Sequence, residues 1–185
     1  MTFRFVFVAA LAACGPTQMG AMGDPGETGP PGAQGPPGPA GPGLIVREAT
    51  GTGQLVVSAA TSTFTLIPGL STMIDVPAGG LLDVHTDGGL QCTGVGNTYS
   101  VVDIAIFIDG LQTTASRRVV AANTVGLAQV IANWSFSRHF NVTGGTHLVE
   151  IRAVAGDAGA ANANVSSAAA PQLQGVVTAT AIPPP

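Results

Sequence analysis

The stretch VVDIAIFIDG, residues 101–110, decides the fold class of this chain. Apolar residues alternate along it, which is the period-2 pattern of a β-strand with one buried face. Four branched side chains share that face: Val102, Ile104, Ile106 and Ile108. The dipeptide Asp109-Gly110 then favours a type I′ turn, which needs positive φ at both positions. The sequence therefore predicts a strand over 101–109 and a hairpin that returns along 111–121.

The opposite face of this strand is also largely apolar. It carries Val101, Ala105 and Phe107 beside Asp103. A strand that is apolar on both faces must be shielded from water on both faces. In addition, charged residues make up only 9% of the chain. Both features suggest contacts between subunits. The alternative is that a loop of the same chain covers Phe107.

A second hairpin is predicted around Gly144-Gly145. The strand before it has an apolar face made of Val130, Ala132, Trp134, Phe136 and Phe140. Its other face is polar and holds Asn133, Ser135, Ser137 and His139. The strand after the turn, THLVEIRAV at 146–154, is expected to bury Val149, Ile151 and Ala153 and to expose Glu150 and Arg152. Because Trp134 lies in an apolar face, it is interpreted as a core residue rather than as a sugar-binding platform.

Weaker strand patterns fill most of the remaining sequence after residue 43. They lie at 54–60, 62–67, 71–76, 80–87 and 173–182. Residues 155–171, AGDAGAANANVSSAAAP, are small and of low complexity, which predicts a long exposed loop. Many short strands with regular turn signals predict an all-β head over 44–185, either an antiparallel β-sandwich or a jelly roll.

Glycine occupies every third position ahead of the head, in the triplets GAM-GDP-GET-GPP-GAQ-GPP-GPA-GPG of residues 20–43. The glycines of the period are Gly20, Gly23, Gly26, Gly29, Gly32, Gly35, Gly38 and Gly41. In a collagen triple helix every third residue faces the crowded axis, where only glycine fits. The period predicts a collagen-like stalk of about 70 Å and, with it, a homotrimer. The alternative is a flexible Gly/Pro tether.

The N-terminus has the layout of a secretory signal peptide. Residues 1–13 read MTFRFVFVAALAA, in which Arg4 precedes a short apolar run and small residues follow. The string Leu-Ala-Ala-Cys at 11–14 resembles the lipobox of bacterial lipoproteins, in which the cysteine thiol receives a diacylglycerol. The resemblance implies lipidation of Cys14, a linker over 14–19 and a location at the bacterial outer membrane or cell surface. The alternative is an ordinary signal peptide with a chance cysteine.

Charge and motif content exclude several classes of function. The formal net charge is −4, so a nucleic acid is not an expected partner. No G-x-S-x-G elbow, P-loop or C-x-x-C motif occurs, so neither an enzymatic activity nor a cofactor is expected. If Cys14 is lipidated, Cys92 has no cysteine partner in its own chain. It is predicted to be a buried free thiol or an interchain contact, with no neighbour in the sequence that would lower its pKa.

The most suggestive chemical motif is LDVHTD at 82–87. In a strand, Asp83, His85 and Asp87 share one face about 7 Å apart. Carboxylate and imidazole ligands bind calcium or a transition metal, so these three residues are a candidate metal site. The alternative is the solvated face of a half-buried strand, with Leu82 and Val84 pointing inward.

Other polar residues receive structural interpretations. His139 lies on a polar strand face, and His147 follows the second predicted turn, so both are expected to be hydrogen-bonding residues rather than catalysts. Arg117 and Arg118 are expected either to pair with acids across a trimer interface or to be solvated.

The stalk resembles the collagen-like stalks of bacterial surface proteins, over residues 20–43 only. The whole arrangement resembles collagen-like proteins whose C-terminal trimerising head is a jelly roll of the complement C1q and tumour-necrosis-factor type. This resemblance implies a non-enzymatic, lipid-anchored surface protein with a structural or adhesive role. Its expected partners are its own copies and the membrane, and an extracellular glycan or protein is left open as a ligand of the head. The rival hypothesis is a lipid-anchored carbohydrate-binding module in which the stalk is a spacer.

Overall fold

The computed structural model describes residues 43–126 and 130–184, together with positions 20, 23, 26–29, 31–32 and 34–35. The predicted signal peptide, Cys14, the linker over 14–19 and the stalk glycines Gly38 and Gly41 lie outside the described residues. The regular secondary structure of the described residues consists entirely of β-strands, which confirms the all-β prediction. None of these residues belongs to a helix of the length and hydropathy needed to cross a membrane.

The strands of the described residues lie within the compact unit Ala40–Pro185. In chain order they are β1 (Ile45–Thr50), β2 (Leu55–Val57), β3 (Thr65–Val76), β4 (Leu81–Cys92), β5 (Thr98–Ile108), β6 (Leu111–Asn123), β7 (Ile131–Asn141), β8 (Gly145–Ala155), β9 (Ala163–Val165) and β10 (Val176–Ile182). The two predicted strands at 62–67 and 71–76 are one strand, β3, whose pairing with β8 is irregular between Leu66 and Ser71.

Two antiparallel sheets enclose the hydrophobic core. The six-stranded sheet has the order β1-β10-β4-β9-β2, with β7 paired to the other edge of β4, and the four-stranded sheet has the order β3-β8-β5-β6. Without the three-residue strands β2 and β9, the two sheets have the orders β1-β10-β4-β7 and β3-β8-β5-β6. If these eight strands are renumbered 1 to 8 along the chain, the orders become 1-8-3-6 and 2-7-4-5. This alternation between two sheets is the arrangement of a jelly roll, so the predicted antiparallel sandwich is confirmed.

The hairpin that the sequence places at Asp109-Gly110 joins β5 to β6. Asp109 has a φ of 53° and Gly110 a φ of 77°, as a type I′ turn requires. Val102, Ile104 and Ile106 of β5 are fully buried between the sheets. Burial of each such side chain stabilises the fold by about 1.5–3 kcal/mol, so this strand anchors the core.

The second predicted hairpin is wrong, because β7 and β8 belong to different sheets. β7 pairs with β4, whereas β8 lies between β3 and β5. Residues 142–144 carry the chain from one sheet to the other, so the apolar faces of the two strands meet across the core. Alternation along each strand identified the buried face, but it contains no information about which strand lies alongside.

The segment 155–171 is not an exposed loop throughout. Within it, β9 pairs with both β2 and β4, and Ala163 and Val165 are buried. Its small side chains let this short strand fit beside the longer β4. The pattern also missed β1, which pairs with β10 at the edge of the six-stranded sheet.

The outer side of β5 is covered by the same chain. The ring of Phe64, in the segment before β3, lies 5.4 Å from the ring of Phe107, and the Arg152 guanidinium lies 4.6 Å from the centre of the Phe107 ring. Glu150 accepts a 2.7 Å hydrogen bond from Arg152 and is buried, contrary to its predicted exposure. A loop therefore accounts for the buried Phe107 without a subunit contact.

Candidate functional site

The outward face of the six-stranded sheet is a candidate functional surface because most of its side chains are polar. β4 runs along its middle, with β10 on one side and β7 on the other. We call the polar part of this surface the open face, and it consists of Asp83, His85, Asp87, Ser135, Ser137, His139, Thr178 and Thr180. The alternation of these residues with buried Leu82 and Val84 on β4 follows the pleat of the strand.

The three predicted metal ligands share this face but are divided between two separate pairs, one of which includes His139. The register of β4 with β7 places His139 opposite Asp83, and His139 Nδ1 lies 3.0 Å from Asp83 Oδ1. His85 Nε2 lies 3.3 Å from Asp87 Oδ2. Across the described ranges, no group of three His, Cys, Asp or Glu side chains is placed to hold a metal ion. The structure therefore divides the predicted metal ligands between two histidine–carboxylate pairs on a solvated strand face.

His147 forms the second site, at one end of the sandwich. Its Nδ1 lies 2.7 Å from Asp109 Oδ2, and its Nε2 lies 2.8 Å from the carbonyl oxygen of Thr143. Both partners are acceptors, so the site favours the protonated imidazole, in which both ring nitrogens donate. The side chain is only 8% exposed. We call this arrangement the His147 clamp.

The electrostatics of the clamp agree with this geometry. The hydrogen bond to Asp109, with help from the Thr143 carbonyl, raises the pKa of His147 above its ordinary value. The same bond, together with the amide of Leu148 that donates to Asp109 Oδ1 at 2.9 Å, lowers the pKa of Asp109. The clamp ties the β5–β6 turn to the chain that crosses between the sheets, which confirms the structural role predicted for His147.

A depression of about 350 Å³ lies beside the clamp. Ile108, Leu111, Phe140 and Val142 contribute its apolar lining. Its two ionisable lining residues, Asp109 and His147, are hydrogen-bonded to each other. Sequence reasoning missed Asp109 as the partner of His147, since the Asp-Gly dipeptide already had a sufficient explanation as a turn.

Cys92 is a buried free thiol, as one of the two alternatives predicted. Burial raises the pKa of this thiol, but hydrogen bonds from Ser100, Thr98 and the Gly94 backbone outweigh that effect and lower it overall. Two of these partners lie on β5 rather than next to Cys92 in the sequence, which is why the expectation that nothing would lower the pKa of Cys92 was wrong. With no exposed surface, the thiol has no access to a substrate.

The arginine pair on β6 has partners within the chain. Arg118 binds Asp103 through two hydrogen bonds of 2.8 Å each. The Arg117 guanidinium lies 5.5 Å from the centre of the Phe136 ring. Both contacts are intramolecular, and neither needs a second subunit.

Trp134 belongs to the core, as predicted. It is buried, and its Nε1 donates to Thr86 Oγ1 over 3.2 Å. An indole that is packed between sheets has no face to offer to a sugar ring. The aromatic platform of the rival carbohydrate-binding hypothesis therefore does not include Trp134.

Comparisons with known proteins add no function. No protein-family model matches the chain, and no curated protein sequence matches it. Among solved structures, it is similar to the infectious bursal disease virus VP2 subviral particle at 15% identity, with a TM-score of 0.35 over 76% of this chain and 37% of that one. It is also similar to dimeric latent PorU from Porphyromonas gingivalis at 11% identity, with a TM-score of 0.31 over 74% of this chain and 13% of that one. The chain thus spans well under half of either protein.

Proposed function

We propose that this protein is a non-enzymatic, lipid-anchored cell-surface protein that assembles as a homotrimer. The lipid on Cys14 holds it at a bacterial membrane, the collagen-like stalk joins three copies, and the stalk presents the β head to the surroundings. The head serves a structural or adhesive role, with an extracellular glycan or protein as its ligand.

The glycine period carries the proposal. At the stalk positions that the structure describes, from Gly20 to Gly35, an added Cβ would meet nothing within 4 Å in the same chain. None of these described glycines has the positive φ that would make glycine necessary for a turn. Neither turn geometry nor packing within one chain therefore explains why glycine recurs. Close approach of further chains at a common axis does explain it.

The architecture of the head supports a presenting role. Its core draws on residues from Val57 to Ala181, all of them within the compact unit Ala40–Pro185. The jelly-roll order of its strands is the architecture implied by the resemblance to trimerising heads.

The geometry of the titratable residues favours a non-enzymatic role. His147 has no free ring nitrogen with which to accept a proton, and Cys92 is inaccessible. His139 and His85 each pair with a carboxylate on an open strand face rather than in a cleft.

The test compares two neighbouring substitutions in the stalk. Cys14→Ser should first move the protein from the membrane fraction to the soluble fraction, which makes a chain suitable for sedimentation. In that background, Gly32→Val places a side chain at the axis, whereas Ala33→Val places the same side chain at an outward position of the same triplet. We expect a trimer mass and a triple-helix circular dichroism signal for the parent and for Ala33→Val in the cold.

For Gly32→Val we expect loss of the triple-helix signal at a lower temperature and rapid thermolysin cleavage of the stalk. A parent that is monomeric in the cold, or two variants that are cleaved equally fast, would overturn the homotrimer. A Cys14→Ser chain that stays in the membrane fraction would overturn the lipid anchor.

A further inference from the structure

Two loops meet at the end of the sandwich that lies opposite the start of β1. The register places Ile45, the first residue of β1, near the start of β4. β4 then runs to Cys92, about 36 Å away for a strand of its length. At that end lie residues 93–97, between β4 and β5, and residues 124–126, which follow β6. We call residues 93–97 and 124–126 the distal tip.

Hydrogen bonds from two asparagines join the loops of the distal tip. Asn97 Oδ1 accepts a 3.2 Å hydrogen bond from the amide of Val125. Asn123, at the end of β6, is buried, and its Nδ2 donates to the carbonyl oxygens of Cys92 and Gly94 at 3.0 and 2.7 Å. Each asparagine connects one loop to the strand or loop beside it, so the two loops form one surface.

The distal tip presents two valines to its surroundings. Val95 is 90% exposed and Val125 is 80% exposed. Among the described residues, no other large hydrophobic side chain is as exposed, and the next is Leu111 at 74%. Single exposed apolar residues are common on protein surfaces, but two on loops that are bonded together mark a contact point for an apolar partner.

Charge and area indicate the kind of partner. The loop sequences TGVGN at 93–97 and TVG at 124–126 hold no charged residue, so salt bridges cannot select the partner. Two valines also offer far less than the roughly 800 Å² that each partner buries in a stable protein interface. A phospholipid surface requires neither charge nor a complementary shape, because apolar side chains that project from loops exchange water for the acyl boundary.

We propose that the distal tip docks on a phospholipid surface by inserting Val95 and Val125 among the lipid headgroups. This inference names the partner of the proposed adhesive role and rests on the proposed homotrimer for its strength. Two valines bind weakly on their own, whereas three joined heads present six valines to the same surface. Because the distal tip holds no basic residue, docking does not depend on anionic lipids.

The test measures binding to sucrose-loaded vesicles of phosphatidylcholine by co-sedimentation. The parent is the full chain that carries Cys14→Ser, so that no acyl group of the protein takes part. Val95→Asp and Val125→Asp change the distal tip. Leu111→Asp is the matched control, because Leu111 has nearly the same exposure as Val125 and begins β6 at the other end of the head. Sedimentation without vesicles gives the mass of each variant.

We expect the parent and Leu111→Asp to bind the vesicles equally well. Val95→Asp and Val125→Asp should each lower the vesicle partition coefficient by about tenfold or more, because a carboxylate resists transfer out of water. Val125→Leu should bind more tightly than the parent, since each copy then buries one further methylene. Added phosphatidylglycerol should not strengthen binding, and salt should not weaken it.

The outcomes separate this inference from the proposed function. A trimeric parent that does not bind phosphatidylcholine, as a tip that contacts a protein would behave, would overturn the distal tip and leave the homotrimer intact. Equal losses in Val125→Asp and Leu111→Asp, or binding that requires phosphatidylglycerol, would also overturn it. A monomeric parent would overturn the homotrimer, and weaker binding by Val125→Asp than by Leu111→Asp would then still support the distal tip. If an aspartate variant fails to fold, as judged from its strand spectrum, unchanged binding by Val125→Leu would contradict the inference.

Discussion

The His147 clamp and the His139–Asp83 pair use the same two chemical groups in different surroundings. In the clamp, the imidazole is 8% exposed and donates from both nitrogens. On the open face, the His139 side chain is 72% exposed, and its Nδ1 lies 3.0 Å from the carboxylate. The distances differ by only 0.3 Å, whereas the exposure of the histidine side chain differs ninefold. The carboxylates differ in the opposite sense, since Asp109 is 49% exposed and Asp83 is 28% exposed.

We expect the burial of the histidine, rather than the contact distance, to determine how much each histidine–carboxylate pair contributes to the free energy of unfolding. A buried donor that loses its partner also loses access to water, so the full desolvation cost appears in the free energy of unfolding. An exposed pair exchanges its partner for water at little cost, and salt screens what remains. The two sites should therefore respond very differently to the same substitution.

The largest effect is expected for His147→Gln. The amide keeps one donor group but removes the charge, so either the Asp109 carboxylate or the Thr143 carbonyl loses its partner. We expect the free energy of unfolding to fall by about 1–3 kcal/mol, measured by urea denaturation of the Cys14→Ser chain. Asp109→Asn is the companion variant, because asparagine also tolerates the positive φ at this turn position. A loss within about 0.5 kcal/mol for both variants would contradict the clamp.

A smaller effect is expected from pH acting on the parent chain. The fold raises the pKa of His147. Its contribution to the free energy of unfolding is therefore complete below the ordinary pKa of 6.5 and is lost as the pH rises through the folded pKa. Because the pKa of Asp109 is lowered, its contribution is present above the ordinary value of 3.8 and is lost as the pH falls through the folded pKa. The clamp should therefore stabilise most between about pH 4 and 6.5.

The measurement is the difference in unfolding free energy between the parent and His147→Gln at pH 5.5 and at pH 9. This difference should be larger at pH 5.5, since the parent imidazole still carries its second proton there. A difference that is equal at the two pH values, or larger at pH 9, would show that the imidazole is neutral in the fold.

The sequence predicted features that depend on neighbouring residues, but not contacts between residues that are far apart in the chain. The strand at 101–109 and its turn were predictable because alternation and the Asp-Gly dipeptide act within a few residues. The partner of β7 was not, because β4 lies about fifty residues earlier in the chain and nothing in either strand identifies the other. For the same reason, the sequence did not indicate that Asp109 is the partner of His147 or that Phe64 packs against Phe107. Local pattern thus predicted the buried faces, while pairing and side-chain partners depended on the complete fold.

The smallest effect is expected for His139→Gln on the open face. Glutamine keeps a polar group opposite Asp83 on the neighbouring strand, and water reaches the 72%-exposed side chain in either case. We expect a change of about 0–1 kcal/mol in the free energy of unfolding, and 1 M NaCl should remove most of it, since the Debye length is then about 3 Å. The same denaturation experiment as for His147→Gln makes the two values directly comparable. If His139→Gln costs as much as His147→Gln, and the cost persists in high salt, then the open face is covered in the assembled protein. Burial against another subunit would then replace solvent as the surroundings of this pair.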